Sequence, residues 1–200
     1  MRMIVSACLW TVGVLYFALM FSVMATGLIL FSPKKLYPLM RRMMRLQLLI
    51  MGARLSFVGL DNFDTDKSYL LMGNHESMFD LFAIPAAIPV YTVGFEAAYH
   101  FSLPFWGFLI RKWGNIPAHR NSIHKGIRSL KEAARVIKSG TSIAVLPEGG
   151  RTGNGELGDF KKGPFIIASK ARADIIPFVL VGMYAYNNIN SWHLNPGPVS

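Results

Sequence analysis

An α/β fold is predicted, with a central mixed sheet flanked by helices and preceded by N-terminal membrane-associated helices. Three observations carry that prediction. Short apolar runs such as "SYLLMGN", "YTVGF", "TSIAVLP" and "DIIPFVLVGM" alternate with stretches of helical character from residue 68 onward. No charged residue occurs from Met3 to Phe31, a run longer than the roughly 20 residues that cross a bilayer as a helix. The 200-residue chain is also 52% hydrophobic and only 16% charged, with a mean hydropathy of +0.34, which is greasier than an ordinary soluble domain.

The first element is the apolar run itself. Arg2 alone precedes it, whereas Lys34, Lys35, Arg41, Arg42 and Arg45 follow at once, so the positive-inside rule keeps the downstream end in the cytoplasm. A cleaved signal peptide competes, with Arg2 as a weak basic start and Ala25 as a small residue for cleavage. The run is long for that role, and the basic cluster opposes export. After Ser32-Pro33, "YPLMRRMMRLQLLIMGARLSFVG" reads as a helix in the headgroup layer, arginines toward phosphates and apolar side chains toward acyl tails. Its alternative is a core-packing helix with a solvated basic end. Residues 1–58 are expected to form a membrane-anchoring helical segment and 59–200 an α/β domain.

The polar loop "DNFDTDK" opens that domain. "SYLLMGN" reads as a short strand, "LFAIPAAI" as a helix interrupted near Pro85 and Pro89, and "YTVGF" as a further strand. Ser122 to Ser139 is the clearest helix, with Ile123, Ile127, Leu130, Ala134 and Ile137 as one apolar stripe and Gly140 placed to end it. Lys125, Arg128, Lys131, Arg135 and Lys138 form its solvated face. "TSIAVLP" is a buried strand leading into the glycine-rich "EGGRTGNGELGDFKKG", then come the short helix "PFIIASKAR" and the strand "DIIPFVLVGM".

The formal charge of +10 calls for an anionic partner. The apolar composition favours lipid headgroups, and the aromatic residues do not interleave with basic ones as a nucleic-acid stacking platform would. The single cysteine, Cys8, excludes an internal disulfide framework and a cysteine-rich metal site.

Chemistry is concentrated in "GNHESMFD", at the seam between two apolar segments. One uninterrupted helix would turn His75 and Asp80 about 140° apart. With Ser77 as N-cap and Asp80 as third helical residue, the carboxylate points back at the helix start, where His75 lies. Asp80 then accepts a hydrogen bond from one imidazole nitrogen and the other nitrogen is available as a general base. A capping box beside an ordinary loop histidine is the bland alternative. A zinc site is disfavoured, because "HE" lacks the second histidine of a zincin helix. Without a Gly-x-Ser-x-Gly elbow or a cysteine outside the apolar run, the economical nucleophile is the substrate's own hydroxyl. "LPEGGRT" then places Glu148, Gly149 and Arg151 at a strand's end, where α/β folds bind ligands, and "GNIPAHR" places Arg120 in a similar role.

Together these stretches resemble the glycerolipid acyltransferase family, and within it the 1-acylglycerol-3-phosphate acyltransferases of the bacterial PlsC type. "NHESMFD" is similar to the family's Asn-His-x-x-x-x-Asp block at Asn74, His75 and Asp80, and "GNIPAHR" resembles the second block, ending in Arg120. "LPEGGRT" resembles the third, with Leu146, Gly150 and Thr152 as departures. "IIPFVL" matches the fourth at Pro177, and "FKKGPF" is similar to the lysine-containing link between them. The resemblance implies transfer of a fatty acyl group from acyl-CoA or acyl carrier protein to a lysophospholipid hydroxyl, in phospholipid biosynthesis at the cytoplasmic membrane with the site facing the cytoplasm. It implies His75 as base and Asp80 as its orienting acid. Asn74, Arg120, Glu148, Gly149, Arg151 and Pro177 become substrate-binding residues, with neither metal nor cofactor beyond the acyl carrier. Gly150 in place of threonine removes one hydroxyl near the phosphate. The resemblance also implies a further strand and helix beyond "LNPGPVS". An acyl thioesterase and a non-catalytic membrane-bound adaptor are the competing functions.

Overall fold

The structure, a computed structural model, describes residues 1–200 apart from the side chain of Asn62. Helix α1 (Arg2–Leu30) covers the uncharged run and α2 (Pro33–Ile50) follows it, opened by a proline at its first position. Along α1 the buried residues are Ser6, Gly13, Met20, Met24 and Leu28, a stripe at helical spacing that lies against the rest of the chain. Contacts run its whole length. The Ser6 hydroxyl donates to the Leu194 carbonyl at 3.4 Å, Trp10 Nε1 donates to the Trp192 carbonyl at 2.8 Å, and Gln47 Nε2 donates to the Gly13 carbonyl at 3.0 Å. A Cβ on Gly13 would sit 2.6 Å from the sulfur of Met51, the residue that follows α2, so a larger residue here would displace that buried side chain. The remaining face of α1, including Ile4, Val12, Leu15, Leu19, Ile29 and Leu30, is exposed.

Helix α2 departs from the expected headgroup role of its arginines. Arg41 donates to the carbonyls of Ala86 (3.2 Å) and Ala87 (2.7 Å), and Arg45 donates to Ala86 at 2.7 Å. Both guanidinium groups thus satisfy orphan carbonyls where the next helix ends. Arg42 alone among the three is exposed, beside Leu39, Leu46 and Leu49.

The α/β part runs β1 (Ala53–Leu55), β2 (Leu70–Gly73), α3 (Asp80–Ala87), β3 (Thr92–Ala97), α4 (Trp106–Trp113), β4 (Ile116–Ala118), α5 (Ile123–Lys138), β5 (Ser142–Val145), α6 (Lys162–Ala171), β6 (Ile175–Phe178), α7 (Met183–Tyr186) and β7 (Gly197–Val199). The central sheet has the order β4-β3-β5-β2-β6, and every pairing in it is parallel. The mixed sheet expected from sequence is therefore corrected. Each strand of this sheet returns to the next through a helix, and such crossovers produce parallel neighbours. β1 and β7 form a separate parallel pair, which joins the end of the N-terminal helices to the last residues of the chain.

Strand β2 is buried throughout. β6, at the sheet edge, carries Pro177, a position where the missing N–H costs no ladder bond on the open side. The stripe assigned to α5 faces inward only over its later turns. Ala134 and Ile137 are buried, whereas Ile123 is 80% exposed and Ile127 half-exposed, because the first turns lie over the loop after β4, where the His119 carbonyl would meet a Cβ on Gly126 at 2.9 Å.

Candidate active site

All strands of the central sheet run in one direction, so their C-terminal ends share one edge, and each motif singled out in the sequence emerges there. β2 leads into Asn74-His75, β5 into Pro147-Glu148, β4 into His119-Arg120 and β6 into Val179-Leu180. β2 lies between β5 and β6, which puts the His75 loop between the other two.

His75 Nδ1 lies 2.8 Å from Asp80 Oδ2. A carboxylate accepts, so Nδ1 carries the proton and Nε2 is left with its lone pair. The same Oδ2 accepts the N–H of Glu76 at 2.8 Å and of Ser77 at 3.0 Å. Asp80 Oδ1 is buried and has no partner among the described residues. The whole anion is withdrawn from water, which strengthens its action on the ring. His75 keeps a quarter of its side chain exposed.

The local reading of this turn needs one correction. Ser77 does not cap the helix, and Asp80 is its first residue rather than its third. The Asp80 carboxylate reaches back to the Glu76 and Ser77 N–H groups while the Ser77 hydroxyl accepts Phe79 N–H at 3.2 Å, so the reciprocal bonds of a capping box form just before the helix. Phe79 anchors the turn. It is 2% exposed, with Trp10, Phe82 and Tyr186 at ring-centroid distances of 5.6, 6.0 and 5.2 Å. Burial of such a ring is worth about 1.5–3 kcal/mol, so α1, α3 and the C-terminal segment together fix where Asp80 begins its helix.

Glu148 holds the frame. Oε1 accepts His75 N–H at 2.7 Å, and Oε2 accepts Gly158 N–H at 2.8 Å. The His75 carbonyl accepts Thr152 N–H at 2.8 Å. Asn74 is likewise consumed internally: its amide donates to the Leu180 carbonyl at 2.9 Å and accepts Leu180 N–H at 2.7 Å. Both side chains, expected to touch substrate, bond main chain of the neighbouring loops and so brace the His75 turn, and both also line the cavity beside His75. Glu76, unassigned from sequence, accepts Asn74 Nδ2 at 3.0 Å and Tyr184 N–H at 2.8 Å. Burial raises its carboxyl above the ordinary value, with the nearby Asp80 charge acting in the same sense.

One cavity adjoins the histidine and a second shares part of its wall. The first, of about 460 Å³, is lined by His75 with Leu157, Phe160, Phe165, Pro177 and Phe178, and its wall is mainly apolar. The other, of about 520 Å³, is polar and includes Arg120, Gly149, Arg151 and Lys161. Glu148, Thr152, Glu156 and Leu157 border both. Arg120 donates to the Gly149 carbonyl. Gly149 has φ +76, and a Cβ there would meet the guanidinium at 3.2 Å, so glycine is needed for both reasons. Neither Arg120 nor Arg151 forms an ion pair among the described residues. Leu157 was not singled out from sequence, and Thr152, Phe160 and Lys161 were noted there without a role at the site. The aromatic and lysine positions of "FKKGPF" were the available signal.

A base with a fixed tautomer thus has an apolar cavity at its side, and a polar cavity that carries both cations (Arg120, Arg151, Lys161) and acids (Glu148, Glu156, Asp159) shares a wall with it. Residues 54–181 match the family model described as Acyltransferase, and the chain belongs to that family. A 1-acyl-sn-glycerol-3-phosphate acyltransferase of Cocos nucifera is 32% identical over 157 residues, covering 78% of this chain and 50% of the relative. One of Haemophilus influenzae is 32% identical over 124 residues, covering 62% of this chain and 52% of the relative. The chain thus spans about half the length of these curated relatives. The crystal structure of the 1-acyl-sn-glycerophosphate acyltransferase PlsC from Thermotoga maritima superposes with a TM-score of 0.82 at 20% identity. That match covers 99% of this chain and 82% of the other, and establishes the likeness of fold.

Proposed function

We propose that the chain transfers a fatty acyl group from acyl-CoA or acyl carrier protein to the free hydroxyl of a lysophospholipid, namely 1-acyl-sn-glycerol-3-phosphate, giving phosphatidic acid for phospholipid biosynthesis. The observation that carries this reading is the 2.8 Å contact of His75 Nδ1 with Asp80, made by a histidine that lines the apolar cavity. Nε2 takes the acceptor's proton as the hydroxyl oxygen attacks the thioester carbonyl carbon, and Asp80 stabilises the imidazolium as it forms. The carbon–sulfur bond then breaks, and the ring returns the proton to the leaving thiolate. No covalent enzyme intermediate is needed. Arg120, Gly149 and Arg151 hold the acceptor phosphate in the polar cavity, through guanidinium forks and main chain. Pro177 lines the apolar cavity on the acyl side, while Asn74 and Glu148 act through the frame of His75.

Residues 1–58 seat the protein at the cytoplasmic face of the membrane, with 59–200 as the acyltransferase domain. One face of α1 is committed to the protein along its length, so lipid reaches the helix from the opposite side only. This supports an interfacial seat in one leaflet over a crossing helix surrounded by acyl chains.

The test is thiol release from a long-chain acyl-CoA by the purified full chain, with and without lysophosphatidic acid, beside His75→Ala. Release should require the acceptor and fall about a hundredfold or more in the variant, the range of lost acid–base catalysis, while binding to vesicles is retained. Release independent of acceptor would make the protein a thioesterase. No release with any lysophospholipid or carrier would leave a membrane-bound adaptor.

A further inference from the structure

Between β3 and α4 the chain makes an elbow over residues 98–108 that the reaction does not use. It presents Leu103, Phe105 and Phe108 to solvent, with Phe105 77% exposed. The elbow is rigid. Gly107 N–H donates to the Leu103 carbonyl at 2.9 Å, and a Cβ on Gly107 would lie 2.2 Å from the Phe101 carbonyl oxygen. Arg111 donates to that same carbonyl, and the Phe101 ring is buried. Phe105 itself is held at φ +58, ψ −52, a conformation that a bulky L-residue rarely adopts. The chain therefore accepts backbone strain at a residue whose aromatic ring is left largely in water.

What would offset it is indicated by the neighbours. Trp106, the next residue, packs against Phe17 of α1 with ring centroids 6.4 Å apart, so the elbow adjoins the helix whose outer residues Val14, Leu15 and Leu19 are also exposed. No Asp or Glu occurs between residues 97 and 131. The acid at the elbow's base, Glu96, is engaged by His100 at 2.8 Å and by the Asn115 amide. Arg111 and Lys112 are exposed at the end of α4, with Lys112 Nζ 6.0 Å from the centre of the Phe108 ring. Exposed aromatics flanked by cations, with no free acid, match an anionic lipid interface.

We propose that the 98–108 elbow is a second membrane-insertion element: Leu103, Phe105 and Phe108 enter the acyl boundary of an anionic bilayer beside α1, and Arg111 and Lys112 meet lipid phosphates. The proposal rests on the membrane seating of α1. The elbow follows β3 at the same sheet edge as His75. Insertion at two places therefore orients that edge toward the lipid surface from which an acceptor comes, where a single anchor would only tether it.

The experiment places an environment-sensitive fluorophore at position 105 (Phe105→Cys in a Cys8→Ser background) or on the native Cys8 of α1, which is exposed. Both full-length proteins are mixed with vesicles of phosphatidylcholine and phosphatidylglycerol, some carrying a spin label high on the acyl chain. Both probes should shift to the blue and be quenched by the spin label. A response at position 8 without one at 105 overturns the elbow and leaves the anchoring of α1 intact. Silence at both overturns the elbow together with the reading it rests on. A 105 probe already shielded before lipid is added, in a particle of twice the chain's mass, would show that a second copy covers this face and also overturns the proposal. A second variant, Phe105→Gly, should not lower the unfolding temperature, because glycine adopts φ +58 freely. It should weaken vesicle partitioning by about tenfold, the effect of withdrawing one aromatic side chain. Lower stability with unchanged partitioning would assign the ring to the fold and refute insertion.

Discussion

Replacing Asp80 by asparagine exchanges one oxygen for an NH2 group and removes a buried charge. The amide oxygen can occupy the place of Oδ2 and still accept the Glu76 and Ser77 N–H groups and His75 Nδ1–H, bonds that run from 2.8 to 3.0 Å in the native protein. The NH2 group then takes the position of Oδ1, which has no partner to lose. What disappears is the attraction between a carboxylate and the imidazolium of the transition state. For charge centres about 4 Å apart at an effective dielectric of about 20, that attraction is about 4 kcal/mol, or about a thousandfold in rate. The retained neutral hydrogen bonds offset part of it, so kcat should fall by about 10²–10³. The assay is steady-state thiol release with acceptor and donor both varied, alongside thermal unfolding. KM for either substrate should move little, since Asp80 lines neither cavity. Turnover within about threefold of the parent, in a protein that unfolds at the parent temperature, would refute the role of the carboxylate. Asp80→Ala is a poorer probe, because it strands two buried N–H groups at about 1–3 kcal/mol each.

Three further outcomes are expected. Arg151→Ala should raise KM for lysophosphatidic acid about tenfold or more, the scale of a charged hydrogen bond, with little effect on an acceptor that lacks phosphate; equal effects on both acceptors would remove Arg151 from the phosphate site. Gly73→Ala places a Cβ 2.2 Å from the Phe178 ring and should cost about 1–3 kcal/mol as overpacking, read as a lower unfolding temperature; an unchanged temperature would show that the ring moves freely. The raised carboxyl of Glu76 means that the folded state holds its proton more tightly than the unfolded one. Its contribution is complete below the ordinary value of 4.5 and is lost as pH rises through the folded value. Glu76→Gln has no such titration, so its unfolding temperature relative to the parent should improve as pH rises from about 4 to about 7, and the opposite trend would contradict the burial argument.

Local features were legible in the sequence wherever a short-range rule decides them. The uncharged run from Met3 to Phe31 became α1, because helix formation there needs only apolar length. The five-residue spacing of His75 and Asp80 became a hydrogen bond, because a turn into a helix start brings those positions together whatever surrounds them. Even there the helix start was misplaced: the Ser77 hydroxyl and the Asp80 carboxylate serve different N–H groups within the turn, and the helix itself opens at Asp80, beside the buried Phe79. The direction of the sheet was misjudged for a different reason: apolar alternation marks a strand but says nothing about its neighbour.

By itself, then, the sequence determined which candidate residues are present and in what order they come, since residue type and short spacing are properties of the chain alone. Tertiary structure decided what each one touches. Arg41 and Arg45 read as lipid-facing until α3 supplied the carbonyls that hold them. Asn74 and Glu148 read as substrate contacts, and the structure adds that they tie the loops after β6 and β5 to the His75 turn. Those partners lie more than 40 residues away along the chain, and only the packing of α2 on α3 and the strand order bring them within hydrogen-bond reach. A polar side chain satisfies itself through space, and one-dimensional spacing does not encode that distance.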